Sequence, residues 1–506
     1  MRGWRRTSFT RRLTAATAGA LVAGLAVPAV AAAHAGGTIE YRFPVPIWLY
    51  ALGGAVAVLA SVPVAVWASD HGEDAPGGRS RRNLYPLLRQ LRAGPILTAL
   101  AAVVLVDVLF GGFLGVDEFA ANPATIVFWV DLWVGVGVTS VLLANVWDFV
   151  SPLTVAGRLL DRVLGRRGVA LEQYPAWLGV WPSVGGLLGL AWLELCWPRG
   201  SDPVVLATLI AVYVVAQLAA MAVFGAETWL ARGELFTVFA RTLSRFAPLE
   251  TYVVAAEGAC AAQRCGEGDH ERIGCAACFR DAPADRRGLR LRGYGAGIRR
   301  EPPLEAGGSA FVVALLATVV FDGFSRTSTY IRFVNWLSDR VGVLANHSTL
   351  LRTVVMLGVV SAFSLLFLAV CVLLSRFDAG GTLAAARRYA PTLIPIAGVY
   401  FVAHYLTYLI IYSQFTWKVL IDPLETDWVP DIGVWSHLPS GAVWWAQVGV
   451  IVAGHVVAVF EAHRIARTAE PRARQRRSVA VHSPLTMLMI GYTAVGLWVL
   501  GQSISG

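Results

Sequence analysis

The sequence predicts an all-α, polytopic helical membrane protein. About ten transmembrane helices follow an N-terminal signal segment, and one small cytoplasmic loop carries cysteines. Three observations lead there. Of 506 residues, 56% are hydrophobic and 15% charged, whereas a soluble chain carries about 25% charged residues. Apolar runs of about 20 residues recur, each long enough to cross the ~30 Å hydrocarbon core. Several of the 18 tryptophans stand near the ends of those runs, where amphipathic rings settle at the membrane–water interface. The formal charge of +9 would suit a polyanion, but the arginines cluster between spans. The expected partner is therefore the lipid bilayer, and no nucleic acid is expected.

Residues 1–33 read as a signal peptide or a first signal-anchor helix. "MRGWRRTSFTRRLTAATAGALVAGLAVPAVAAAHAGG" has a basic start, an apolar stretch and an Ala-Ala-Ala before His34, the three parts of a secretory signal. Cleavage after Ala33 would make His34 the new terminus, and its amine and imidazole together suit copper.

The ten expected spans are 47–68, 95–116, 123–147, 175–197, 203–226, 309–325, 353–375, 392–414, 442–463 and 484–502. Five fall within 34–226 and five within 309–506, separated by the long loop 227–308. Arginine is concentrated in every second connection: 69–94, 148–174, 376–391 and 464–483. The connections 117–122 and 415–441 are acidic instead. Positive connections stay in the cytoplasm, so both mature termini should lie outside and 227–308 inside. One connection, 326–352, departs from the pattern with Arg326, Arg332, Arg340 and Arg352, and it is expected to be partly helical along the surface.

The 227–308 loop reads as a compact, loop-rich appendage. Its cysteines are spaced Cys260-x4-Cys265-x9-Cys275-x2-Cys278. In reducing cytoplasm clustered thiols more often hold metal than form disulfides. Four thiolates close a structural zinc site, with His270 able to replace one, and zinc supplies folding free energy to a segment poor in apolar residues. The alternatives are an iron–sulfur cluster, free thiols or, if the topology is inverted, disulfides. The loop is also the natural place for a protein partner. Cys196 and Cys371, within spans, read as small buried hydrophobes.

Ionisable side chains inside spans are costly and usually face a cavity or one another. With a rise of ~1.5 Å per helical residue, Asp107, Asp131, Asp322 and His404 come out at one depth on four helices. His455 lies deeper, and Glu461 and His463 follow it at the inner interface. Carboxylates with imidazole at a shared depth suit a second divalent metal, with His404 as ligand, or a proton relay. Each could also be a lone polar residue that joins two helices. Tyr405, Tyr408 and Gln414 add polar groups along the helix of His404. No phosphate-binding glycine loop, nucleophile elbow or HExxH motif is present.

The stretches "AHAGG…FPVPIWLY", "NVWDFVSPLTVAGRLLDR", "RRGLRLRGYGAGIRREPP", "AFVVALLATVVFDGF" and "SPLTMLMIGYTAVGLWVLGQSI" resemble a family of bacterial and archaeal multi-span proteins commonly labelled fenitrothion hydrolases. These are patterns of membrane segments and transfer no catalytic residue position by position. The resemblance implies a plasma-membrane enzyme that hydrolyses an organophosphorus triester through metal-activated water, its natural small-molecule substrate being another compound. On that reading His404, Asp107, Asp322 and His455 are the first candidates for ligand or base. The alternative is a membrane transporter or copper-handling protein that uses the same His/Asp cluster.

Overall fold

The computed structural model describes Gly53, Gly54 and Val56, residues 83–86, and residues 93–501 apart from 166–169, 255–265, 269–270, 275–277, 280–281, 302–303, 377–379, 427, 430–439 and 470–474. The side chains of 93–95, 98, 266–268, 271–272, 440 and 466–482 are outside this set as well. The signal segment, His34, nearly all of the first expected span, and His270, Cys260, Cys265 and Cys275 therefore lie outside the described residues.

Helices α1 (Ala93–Leu114), α2 (Pro123–Leu142), α3 (Pro152–Val163), α4 (Trp181–Leu195), α5 (Pro203–Phe224), α6 (Ala226–Arg232) and α7 (Leu235–Ser244) form the first half. A sheet of β1 (Leu249–Val254), β2 (Gly266–Gly268), β3 (Glu271–Ile273) and β4 (Arg287–Leu291) follows. Then come α8 (Ala306–Ser325), α9 (Ser328–Arg340), α10 (Ser348–Ser375), α11 (Ile394–Tyr412), α12 (Ser440–Ala469) and α13 (Gln475–Leu500). Eight helices among the described residues are long and apolar enough to cross a membrane, and Ala99–Leu114 is a shorter apolar stretch. The protein is an all-α polytopic membrane protein.

Starts of the spans are set by local chemistry. The Asn122 side chain accepts from Ala124 N–H with Pro123 next to it, and Asp202 does the same for Val205 ahead of α5. Each such cap is worth about 1 kcal/mol. Between them, Ile126–Gly135 of α2 is wound as a π-helix, a distortion found often at functional sites.

Helix α8 is the axle of the bundle. Its apolar window is 83% buried, against 22% for α10, and it packs on α4, α10 and α11. Small residues let neighbours approach: a Cβ on Gly323 would stand 2.5 Å from Val499 Cγ1 and 3.1 Å from the Tyr400 hydroxyl. Helices α1 and α10 expose leucine and valine instead, as lipid-facing helices do.

The segment 227–308 is more ordered than a loop-rich appendage. Every residue of α7 except Arg241 is buried, so this helix belongs to the bundle and packs on α2, α4 and α11. The antiparallel sheet runs β2-β3-β1-β4, with Glu250 opposite Arg290 and Leu249 opposite Leu291. It closes one end of the bundle, where Leu249 N–H donates to Leu143 and the Tyr294 hydroxyl donates to Leu142.

Arginines fasten it there. The Arg292 guanidinium donates to the carbonyls of Ser244 (2.7 Å) and Ala247 (2.9 Å) and to Glu250 (2.8 Å). It thereby caps the orphan carbonyls at the C-terminus of α7, the end a cation suits. Arg290 lies 2.7 Å from Glu250, and Arg245 3.3 Å from Glu301. Burial alone pushes the Glu250 carboxyl up, but Arg292 and Arg290 outweigh it and leave the group below the usual range. Gly297 completes the joint, since a Cβ there would meet the Arg245 carbonyl and the Arg292 guanidinium, each at 2.5 Å.

Candidate functional site

The last turn of α8 carries Asp322, the last turn of α4 carries Glu194, and both face the middle of α11. Asp322 is wholly buried and Glu194 nearly so. The two helices end at the same level because α4 and α8 both run away from the sheet end of the bundle, packed side by side.

His404 and Asp322 form the centre. The imidazole Nε2 stands 2.7 Å from Asp322 Oδ2. Arg326, one turn on, donates to Asp322 Oδ1 from Nε and Nη2 at 3.3 and 3.2 Å. An ionised Asp322 accepts from Nε2–H, which leaves the lone pair on His404 Nδ1. No hydrogen bond to that Nδ1 occurs among the described residues, and the ring is 13% exposed. Tyr400 stacks on one face of the ring and Tyr405 meets it edge-on at 4.7 Å. Gln447 on α12 donates to the Ala403 carbonyl at 2.8 Å and pins the backbone beside the histidine.

From the dyad a polar seam runs along α11, away from the sheet. The Tyr405 hydroxyl donates to Glu194 at 3.4 Å. Tyr408 and Tyr412 continue the same face with ring centroids 4.8 Å apart, and Thr416 donates to both oxygens of Asp131 at 3.0 Å. Asp131 sits in the π-helical stretch of α2. Thus each of three acidic groups, from three different helices, meets a hydroxyl or imidazole of α11 or of the short helix Thr416–Ile421 that follows it.

The four candidate catalytic residues do not share one site. Asp322 and His404 are joined. Asp107 is on α1, its Oδ2 buried with no partner among the described residues. His455 is buried on α12, where its Nδ1 is 2.8 Å from the Ile451 carbonyl and its Nε2 has no partner among the described residues. Glu461, on the same helix, belongs to the sheet end, 2.6 Å from Arg299. Two participants escaped sequence reasoning. Glu194 in "AWLELCW" reads as the end of a span, and Arg326 reads as a loop charge. The signal for Arg326 was its place one turn after Asp322, whereas Glu194 showed only a charge at a helix end.

A metal would need three protein donors with an open position for catalysis, or four for a structural site. Asp322 and His404 supply two and are bonded to each other, and no group of three His, Cys, Asp or Glu side chains suited to a metal occurs among the described residues. Among the described residues these two donors do not by themselves complete a membrane metal centre. In the connection between β3 and β4, Cys278 is disulfide-bonded and so presents no thiolate to zinc, while Cys196 and Cys371 are free and buried. Compared with known proteins, the chain matches no family model, no curated protein and no solved structure.

Proposed function

We propose that this protein passes protons through its membrane-embedded interior, with His404 as the exchange site, and uses them to drive transport of a small solute. One observation carries the reading: an imidazole paired across two buried helices with a carboxylate, its other nitrogen without a hydrogen bond among the described residues. Intramembrane groups of this kind are expensive and persist where they serve a pathway. Asp322 holds the ring and stabilises the imidazolium formed when Nδ1 takes a proton. The seam of Tyr405, Tyr408 and Tyr412 supports a route toward the end of the bundle opposite the sheet. In sealed proteoliposomes under an imposed pH gradient, wild type should change the internal pH as detected by an entrapped dye. His404→Gln should abolish the change, and unaltered flux in that variant would reject the reading.

A second reading, hydrolysis of an organophosphorus ester, draws on the same dyad and on the family resemblance. His404 would be a general base oriented by Asp322 and would take a proton from attacking water without metal help. Release of nitrophenol from a phosphotriester by purified protein, lost in His404→Gln, is the outcome that would favour it.

For orientation, the arginine-rich connections support a cytoplasmic sheet end and external termini. Arg326 weakens the one exception, since it is engaged by Asp322. The disulfide at Cys278 points the other way, because such bonds belong to oxidising compartments. A membrane-impermeant maleimide applied to intact cells after mild reduction distinguishes them. Labelling of Cys278 without lysis would put the sheet outside.

A further inference from the structure

Counting charge in the buried cluster leads past the dyad. Asp322 and Glu194 are both carboxyl groups sunk among helices, 0% and 5% exposed. Arg326 is the guanidinium whose charge acts on both of them. With His404 neutral, two ionised carboxylates against one guanidinium would leave a net negative charge in a medium where an uncompensated buried ion costs several kcal/mol. Neutrality requires one proton to be retained. Asp322 receives Arg326 on Oδ1 and His404 on Oδ2, two charge-assisted contacts that favour its ionised form. Glu194 meets the Tyr405 hydroxyl and the Trp133 indole, neutral donors that favour an ionised carboxyl less than a guanidinium does.

We infer that Glu194 is a second proton station, holding the cluster's resident proton and exchanging it with His404 through Tyr405 and Asp322. The inference rests on the proton-transfer reading above. Tyr405 can bridge the two because its hydroxyl is also in hydrogen-bonding contact with Asp322. Each cycle is balanced. Glu194 releases its proton toward Tyr408 and becomes ionised. A new proton binds His404 Nδ1, the Nε2 proton passes to Asp322, Asp322 protonates the Tyr405 oxygen, and the Tyr405 hydroxyl proton moves to Glu194. One proton has entered at the imidazole and one has left at the carboxyl. Asp322 and Arg326 end as ionised as they began, the cluster is neutral before and after, and a turn of the imidazole and of the Tyr405 hydroxyl restores the N–H toward Asp322 and the O–H toward Glu194 before the next proton enters. Glu194 thus divides the inward and outward legs of the path, a part that neither Asp322 nor His404 can play while locked to each other.

Infrared spectroscopy of the full-length protein in proteoliposomes tests this through the carbonyl stretch of a protonated carboxylic acid. At neutral pH wild type should show that band, shifted in heavy water. Glu194→Gln should lose it, Asp322→Asn should weaken it because Glu194 is then the carboxyl left to neutralise Arg326, and Glu194→Asp should retain a displaced band, which controls for folding. Tyr405→Phe should keep the band at an altered frequency and slow proton flux at least tenfold. A band that survives Glu194→Gln at full intensity, or a wild type without one, overturns the inference. The two proposals fail separately. A band lost in Glu194→Gln alongside flux indifferent to His404 rejects transport and keeps the station. Flux that depends on His404 with a band indifferent to Glu194 does the reverse.

Discussion

Two buried ion clusters sit in this bundle, and they differ in how completely their charges are spoken for. At the sheet end, Glu250 receives Arg290 and Arg292, and Arg292 spends its remaining donors on the carbonyls that end α7. Around His404, an acid is held by a guanidinium on one oxygen and an imidazole on the other. The first arrangement holds helix, strand and loop in one geometry. The second leaves one imidazole nitrogen without a hydrogen bond among the described residues, the feature on which the proton-transfer proposal rests. Saturation marks a joint, and a titratable remainder marks a site.

Substitutions should separate the clusters cleanly. Arg292→Ala removes a cation from beneath a buried carboxylate and uncaps α7. Breaking one partner of a buried pair costs about 3–5 kcal/mol, a large share of a domain's ~5–15 kcal/mol of stability. The variant should be recovered poorly, with a sharply lowered unfolding temperature in detergent. His404→Gln should do the opposite: proton flux falls at least tenfold, while the unfolding temperature stays within a few degrees of wild type. If both variants lose stability alike, the distinction between joint and site collapses.

Gly297→Ala probes the joint without touching a charge. The added methyl would press on the Arg245 carbonyl and the Arg292 guanidinium, and overpacking of this kind costs about 1–3 kcal/mol. Thermal unfolding should show the loss with proton flux per folded molecule unchanged.

Legibility followed the same division. The spans, and the pairing of polar groups within them, could be anticipated because any charge in an apolar run stands out. Asp322 and His404 were visible on that ground. The joint was not. "RGLRLRG" alternates with period two, which is a strand signal, but the usual reading puts leucine in and arginine out. Here Arg290 and Arg292 are buried while Leu291 is 48% exposed, since the strand closes a bundle whose α7 ends in bare carbonyls. No local pattern announces that inversion. The π-helical winding that seats Asp131 is equally silent in sequence, because it is imposed by packing and not by propensity. Glu194 escaped because a charge at a span end is ordinarily solvated, and only the tertiary level of α4 relative to α11 buries it.

Acid offers a graded test of the joint. The Glu250 carboxyl is held below its ordinary range, because Arg292 and Arg290 outweigh the burial that alone would raise it. A depressed native value means the unfolded chain binds the proton more readily. The pairing therefore stabilises the fold above the ordinary glutamate range, and that contribution is lost as pH falls through it toward the depressed native value. Unfolding temperature should decline over this acid window in wild type. Glu250→Gln should start lower and decline less, and an unchanged slope would mean that other groups govern acid lability.

The smallest expected effect is at Asp107, and it is informative for that reason. This carboxyl shares the apparent depth of the dyad by helical rise, so a sequence argument groups it with His404. The structure sets it on α1, with one oxygen buried and unpartnered among the described residues. It touches neither carboxyl nor imidazole of the cluster, and a group outside the hydrogen-bonded chain cannot pass a proton along it. Asp107→Asn keeps the shape and removes the titratable proton. Proton flux should match wild type, and stability should move by no more than about 0.5 kcal/mol, the usual range away from special sites. A large loss of flux would mean that the relay reaches α1, and the contrast between an engaged cluster and a solitary acid at the same depth would have to be redrawn.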